Sequence, residues 1–269
     1  MIHFMNDWGV PPVNNQIFRA ALFCVAVGPA FADDLTPLPA PGARPYPYKI
    51  LDLQPGQITT EIVPELEEHL GGSLNPKIIQ QVVTSPEGRR FEADITIGYN
   101  TAGIGLRTRM GDEPYEEITL TNTTPVLEAR LIGMWRTMRK PNAELPDPAA
   151  LAAQIEELYG PPSWRGTDAL GGRMVKYVWT PSGQLSPQQE EPCTHLTYQG
   201  YAFDTERRPV APPECSAVFT ASYETEAGQS TIRFSLVDYE LARRDLEETD
   251  RQILEQISGD NIEPSDMKL

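Results

Sequence analysis

Apolar residues fall on two periods along this chain. Leu151, Ile155, Leu158 and Tyr159 recur at steps of three and four, which makes one stripe along a helix. Asp147 can accept from free N–H groups of a first turn, and Pro148 suits the first helical position. Gly160 can end the helix, and Pro161 and Pro162 forbid its continuation. The spacing therefore predicts a helix over 148–159. A second stripe, Ala242, Leu246, Ile253, Leu254 and Ile257, predicts a helix from Tyr239 to Ile257. Its other side carries Arg243, Arg244, Glu247, Glu248 and Asp250 and reads as solvated. A third, shorter helix holds Ile62, Leu66 and Leu70, with Thr59 or Thr60 as cap and Gly71-Gly72 as stop. Pro64 has to sit in its first turn or mark its true start.

The other period is two. Val175, Tyr177 and Trp179 alternate as one face of a strand over 173–180. Further strand-like runs cover 78–84, 90–99, 104–109, 117–121 and 126–138, then 195–203, 216–223 and 230–237. Turns at Pro86-Glu87-Gly88, Asn100 to Gly103 and Gly111-Asp112 leave short spacers, which suit antiparallel neighbours. A helix followed by a meander, twice over, predicts an α+β fold of two similar units with a C-terminal helix. The first unit spans 48–139 and the second 148–258, with a proline-bearing linker at 140–147 and a disordered tail at 259–269. Ile232, Phe234 and Leu236 form the most apolar strand face and are expected against the helix of 149–159.

The first 32 residues read as a signal peptide. Arg19 is followed by the apolar run Ala20 to Val27, and Ala30-Phe31-Ala32 supplies small residues where a signal peptidase reads. Cleavage is expected between Ala32 and Asp33, giving a periplasmic protein. The apolar run is too short to span a bilayer. Residues 1–12 fit no signal pattern, so initiation is expected downstream, near Val13. Cys24 lies inside the apolar run and makes a poor lipid-attachment site. Residues 33–47 carry Pro37, Pro39, Pro41, Pro45 and Pro47 and read as an extended, disordered tether.

Leu53-Gln-Pro-Gly-Gln-Ile-Thr-Thr-Glu-Ile-Val63, closing at Leu70-Gly71, resembles the helix opening of SmpA/BamE-like repeats, which also build the β-lactamase inhibitor protein. Leu158-Tyr-Gly-Pro161 looks like the same helix end in a second copy. Asp52 stands where such repeats often carry glycine, and the lipid-bearing cysteine of the assembly lipoproteins is missing. The resemblance implies a periplasmic module that binds another envelope protein, in assembly or as an inhibitor or adaptor.

The formal charge of −16 opposes binding to phosphate backbones and anionic lipid surfaces, so nucleic acid is not expected as a partner. Gly103-Ile-Gly105 opens like a phosphate loop, but Thr108 holds the third glycine position, and a hairpin turn is the better reading. No G-x-S-x-G, H-E-x-x-H or P-loop spacing occurs. Beyond the signal, His69 and His195 are the two histidines; His69 is explained by its place at a helix end. Cys193 and His195 would share a strand face, and Cys215 could join them as a zinc ligand. In an exported chain those two cysteines are expected as a disulfide instead. The sequence thus nominates no catalytic residue, no cofactor and no metal.

Two functions remain. The first is a non-catalytic protein-binding module, whose docking patch would be Tyr177 and Trp179 unless these prove to be core. The alternative is an exported hydrolase acting on cell-wall or sugar substrates through paired carboxylates.

Overall fold

The computed structural model describes residues 35–39, 42–84, 88, 90–101, 114–168, 171–193 and 214–258. Within them the chain runs α1 (Thr59–Leu70), β1 (Leu74–Thr84), β2 (Arg90–Thr101), β3 (Tyr115–Asn122) and β4 (Leu131–Pro141). It continues with α2 (Pro148–Tyr159), β5 (Trp164–Thr167), β6 (Arg173–Thr180), β7 (Gly183–Gln184), β8 (Ala217–Thr225), β9 (Gln229–Asp238) and α3 (Tyr239–Ser258). The fold class is α+β with an antiparallel sheet. No helix among the described residues is long and apolar enough to cross a membrane. The segment 1–32 expected as a signal, the strands expected at 104–109 and 195–203, the turn expected at Gly111-Asp112 and the tail expected at 259–269 lie outside the described residues.

Local chemistry places most of these elements. The Asp147 carboxylate accepts from the Ala149 and Ala150 amides at 2.8 and 3.2 Å, capping α2 as its sequence predicts. Gly71 adopts the left-handed conformation that ends α1. The start of α1 differs from expectation: no side chain caps it, and the Thr59 amide donates to the Ala129 carbonyl at 3.1 Å. A distant loop does there what a hydroxyl was expected to do. The run 126–138 is not one strand. Pro125–Leu127 form a short 3-10 turn, and Glu128 and Ala129 take positive φ of 61° and 50° before β4 begins.

All the described strands pair in one sheet of order β1-β2-β3-β4-β9-β8-β6-β5, with β7 beside β6. At its centre β4 pairs with β9 from Gly133↔Val237 to Pro141↔Gln229. Arg139 to Pro141 are therefore strand, and the linker begins later than the prolines suggested. The two halves do not stand apart but are neighbours within the sheet. Where β2 meets β3 the backbones come so close at Gly98 that a Cβ would lie 2.1 Å from the Leu120 carbonyl oxygen. Glycine alone permits that approach.

Successive strand residues point to opposite faces. One face buries Ile118, Leu120, Met134, Tyr177, Phe219 and Leu236 against Ile62 and Leu66 of α1 and Ile155 of α2. The other buries Phe91, Ile95, Ile132, Val178, Val218 and Val237 against Ala242, Ile253 and Ile257 of α3. Leu236 and Phe234 do lie on the α2 side, as the strand pattern predicts.

Residues 33–47 were expected as a free tether, and the described part of that stretch corrects this. Leu35 and Tyr46 are buried. Thr36 and Gln252 of α3 exchange two hydrogen bonds of 2.8 Å, and the Leu38 amide donates to the Val126 carbonyl at 2.8 Å. Arg44 Nε lies 2.5 Å from Asp238 Oδ2, and the Tyr46 hydroxyl donates to the same oxygen at 2.6 Å. Proline sets the backbone conformation only. The residues between the prolines carry the anchors.

Cys193 and Cys215 form a disulfide, with Cα atoms 6.5 Å apart and a sequence separation of 22. Cys215 is part of the buried core on the α3 side. On the loop-entropy account the bridge stabilises by about 3 kcal/mol. A peptide map without reduction should show the two cysteines joined. Thermal melts with and without reductant should differ by roughly 6–12 °C for a chain of this size. Two freely alkylatable thiols in native protein would refute the pairing.

Candidate functional site

The docking patch expected at Tyr177 and Trp179 is not a surface. Tyr177 is 1% exposed, and its ring centroid lies 5.9 Å from Tyr48, 5.8 Å from Tyr159 and 6.0 Å from Phe219. Trp179, half-buried, packs edge-on against both Tyr46 and Tyr48 at 6.4 Å. Burial pushes the Tyr177 hydroxyl up to about 12 and raises that of Tyr48 as well. These rings clamp the proline-rich segment to the sheet. The mixed polar and apolar character that suggested an interface belongs to a core whose other half is Tyr46 and Tyr48.

Paired carboxylates do occur on the opposite face of the sheet. Arg233 Nη2 lies 2.9 Å from Glu224 Oε2, and its Nη1 lies 3.9 Å from Asp168 Oδ2. Asp168 Oδ1 accepts from the Gly172 amide at 2.7 Å, which holds the β5–β6 turn. The recess beside them, lined by Trp135, Thr220 and Ser235, offers about 10 Å³. That is far below the volume of a sugar ring, and a guanidinium stands between the two acids. The arrangement is an ion cluster that ties β9 to β8 and to the β5–β6 turn, and it cannot place two carboxylates on either side of a glycosidic bond.

Lys176 is fully buried, an unusual state for its type. Burial pushes its ammonium down, opposed by the Glu191 carboxylate that it contacts. It also donates to the Pro192 carbonyl at 3.4 Å and lies 5.9 Å over the Trp164 ring. Its partners hold the stretch that leads into Cys193, so the lysine has a structural occupation. Among the described residues no group of three His, Cys, Asp or Glu is placed to hold a metal ion. His195, the third member of the cysteine cluster, lies outside those residues.

His69 is at the end of α1 as the sequence places it, but its partner is a side chain. Its Nε2 lies 3.2 Å from Glu116 Oε1, which also accepts from Arg136 Nε at 2.7 Å. Partial burial works to raise the Glu116 carboxyl, but the hydrogen bonds and charges of Arg136 and His69 outweigh it and hold it below the usual range. A carboxyl lowered on folding contributes stability above its unfolded pKa of about 4.3, and loses it as pH falls through the folded value. Glu116→Gln should therefore cost about 1 kcal/mol at pH 6 and nothing near pH 3, read from denaturant titrations at both. An equal deficit at the two pH values would contradict this.

The feature best suited to contact with another molecule is the β1 edge. The sheet ends on one side in β5, only four residues long, where Trp164 folds over Gly166. Short strands and covering side chains are ways in which sheets blunt an edge. The other end is β1, eleven residues long and, among the described residues, paired only with β2. Pro76, Lys77 and a bulge at Lys77/Ile78 protect its start. From Ile78 to Thr84 there is no charge and no proline. On its outward-tilted face Ile78 is 57% exposed and Val82 is 42% exposed. The strand itself was legible in the sequence. Its place at the rim was not, because edge position depends on which strands it fails to meet.

No family model matches the chain, and neither curated proteins nor solved structures show a significant match to it.

Proposed function

We propose that this chain is a non-catalytic protein-binding module of the periplasm that takes up an extended segment of another envelope protein along the outer edge of β1. The observation that carries the reading is that edge: a long strand at the rim of the described sheet, whose run from Ile78 to Thr84 holds no charge and exposes Ile78 and Val82. Strand addition takes affinity from main-chain hydrogen bonds and specificity from alternate side chains. The layout also supports two similar units of the SmpA/BamE-like kind. Each half runs helix and then meander, their last strands β4 and β9 meet at the centre, and their first strands β1 and β5 form the two ends. The Cys193–Cys215 bridge agrees with an oxidising compartment.

Photoactivatable residues placed at Ile78 or Val82 in intact cells should yield one discrete protein adduct. The same residue at Leu254, an exposed apolar position on α3, should not yield it. Val82→Lys sets a charge on the edge while leaving the fold within about 0.5 kcal/mol of the parent, and should weaken capture by roughly tenfold. Equal labelling from Leu254, or capture indifferent to Val82→Lys, would sink the strand-addition reading. For the compartment, sequencing of the exported product should begin at Asp33, whereas a cytoplasmic full-length chain would contradict export.

A further inference from the structure

A groove runs along α2, between that helix and strands β5, β6 and β8. It encloses about 400 Å³, within the range of small-molecule sites. The space exists because α2 is alanine-rich: Ala149, Ala152 and Ala153 face it, and Ile155 is the helix residue that reaches the buried core. Val175 and Ala221 line it from the sheet. Tyr223 lines it too, and its hydroxyl is spent on the Pro146 carbonyl at 2.9 Å. The walls are thus chiefly aliphatic.

The charge lies at the mouth. Arg165 of β5 and Arg173 of β6 line the groove together with Glu156 of α2. Arg165 Nη2 pairs with Glu156 Oε2 at 2.6 Å. Arg173 is exposed and makes no ion pair among the described residues. Two guanidiniums against one carboxylate leave a local positive excess, on a chain whose formal charge is −16. An aliphatic cavity with an unpaired guanidinium at its mouth matches a ligand with an apolar tail and one anionic head.

We propose that this groove binds an aliphatic monocarboxylate, a medium-chain fatty acid, with its tail against Ala152, Ile155 and Val175 and its carboxylate on Arg173. Burial of methylenes supplies the affinity, and the planar guanidinium receives a carboxylate in two-point geometry, which sets the orientation. A cationic head would meet the same arginine unfavourably, so the site discriminates by the sign of charge. This site is separate from the β1 edge and stands or falls independently of it.

Isothermal titration of the full chain with decanoate, kept below its micelle concentration, tests the proposal, with decyltrimethylammonium as the tail-matched cation. Decanoate should bind one to one and saturably below roughly 1 mM, and the cation at least about tenfold more weakly. Arg173→Gln should weaken decanoate by roughly tenfold, and Ala152→Phe, which fills the groove, should abolish binding. Arg173 is exposed and Ala152 half-buried in the groove wall, outside the buried core, and melting curves should match the parent. Arg173→Lys, which keeps the charge but loses the two-point geometry, should fall between parent and Gln. Three outcomes would overturn the proposal: no saturable binding of decanoate, equal binding of the two head groups, or parent-like affinity in both Arg173→Gln and Ala152→Phe.

Discussion

Arg44→Ala is expected to lower stability by about 3–5 kcal/mol at pH 7, a very large effect for a residue in a proline-rich stretch. The reason is what the substitution leaves behind. The side chain of Asp238 is fully buried, and Arg44 is the cation against it, at 2.5 Å. That contact is an ion pair of charge proximity rather than an aligned hydrogen bond. Burial pushes the Asp238 carboxyl up, while Arg44, the Leu241 amide and the Tyr46 hydroxyl oppose the rise. Without Arg44 the opposition weakens and the folded-state pKa climbs further. A carboxyl raised on folding favours the native state at low pH and disfavours it as pH rises through the folded value. The deficit of Arg44→Ala should therefore shrink between pH 7 and pH 5, and Arg44→Ala/Asp238→Asn should recover most of it. Urea titrations at both pH values measure this. A variant within about 0.5 kcal/mol of the parent would mean that the segment around Arg44 is not docked as described.

Tyr177→Ala should cost about 3–5 kcal/mol, the loss expected when a large aromatic side chain is removed from a packed core. Its ring contacts Tyr48, Tyr159 and Phe219, so the cavity would open between the sheet, α2 and the proline-rich segment at once. Neighbours drawn from three elements cannot collapse together into the space. Tyr177→Phe keeps the ring and should stay within about 1 kcal/mol. The contrast isolates packing from the hydroxyl. If Tyr177→Ala melted with the parent, the residue would be surface after all, and the clamp on Tyr46 and Tyr48 would be wrong.

Sequence by itself determined the elements whose causes are local. Asp147, Pro148 and Gly160 bound α2, because capping and backbone freedom act within one helical turn. The alternation from Arg173 to Thr180 coincides with β6, and the helix expected from Tyr239 onward with α3, although Leu254 of its stripe is exposed. The cysteine pairing was also legible, since Cys193 and Cys215 are the two cysteines that follow residue 32. What tertiary structure alone decided lies at long range. Asp238 meets Tyr46 across 192 positions and α3 meets Thr36 across 216, and no periodicity encodes such partners. Those contacts turned a proline-rich tether into a packed strap and an apparent docking patch into core. The same holds for the sheet: β4 and β9 share the centre because of register, and β1 is left at the rim. Local pattern says that a residue will have a buried face. What covers that face depends on chain brought from elsewhere, and for Tyr177 and Ile78 that difference separates structure from candidate function.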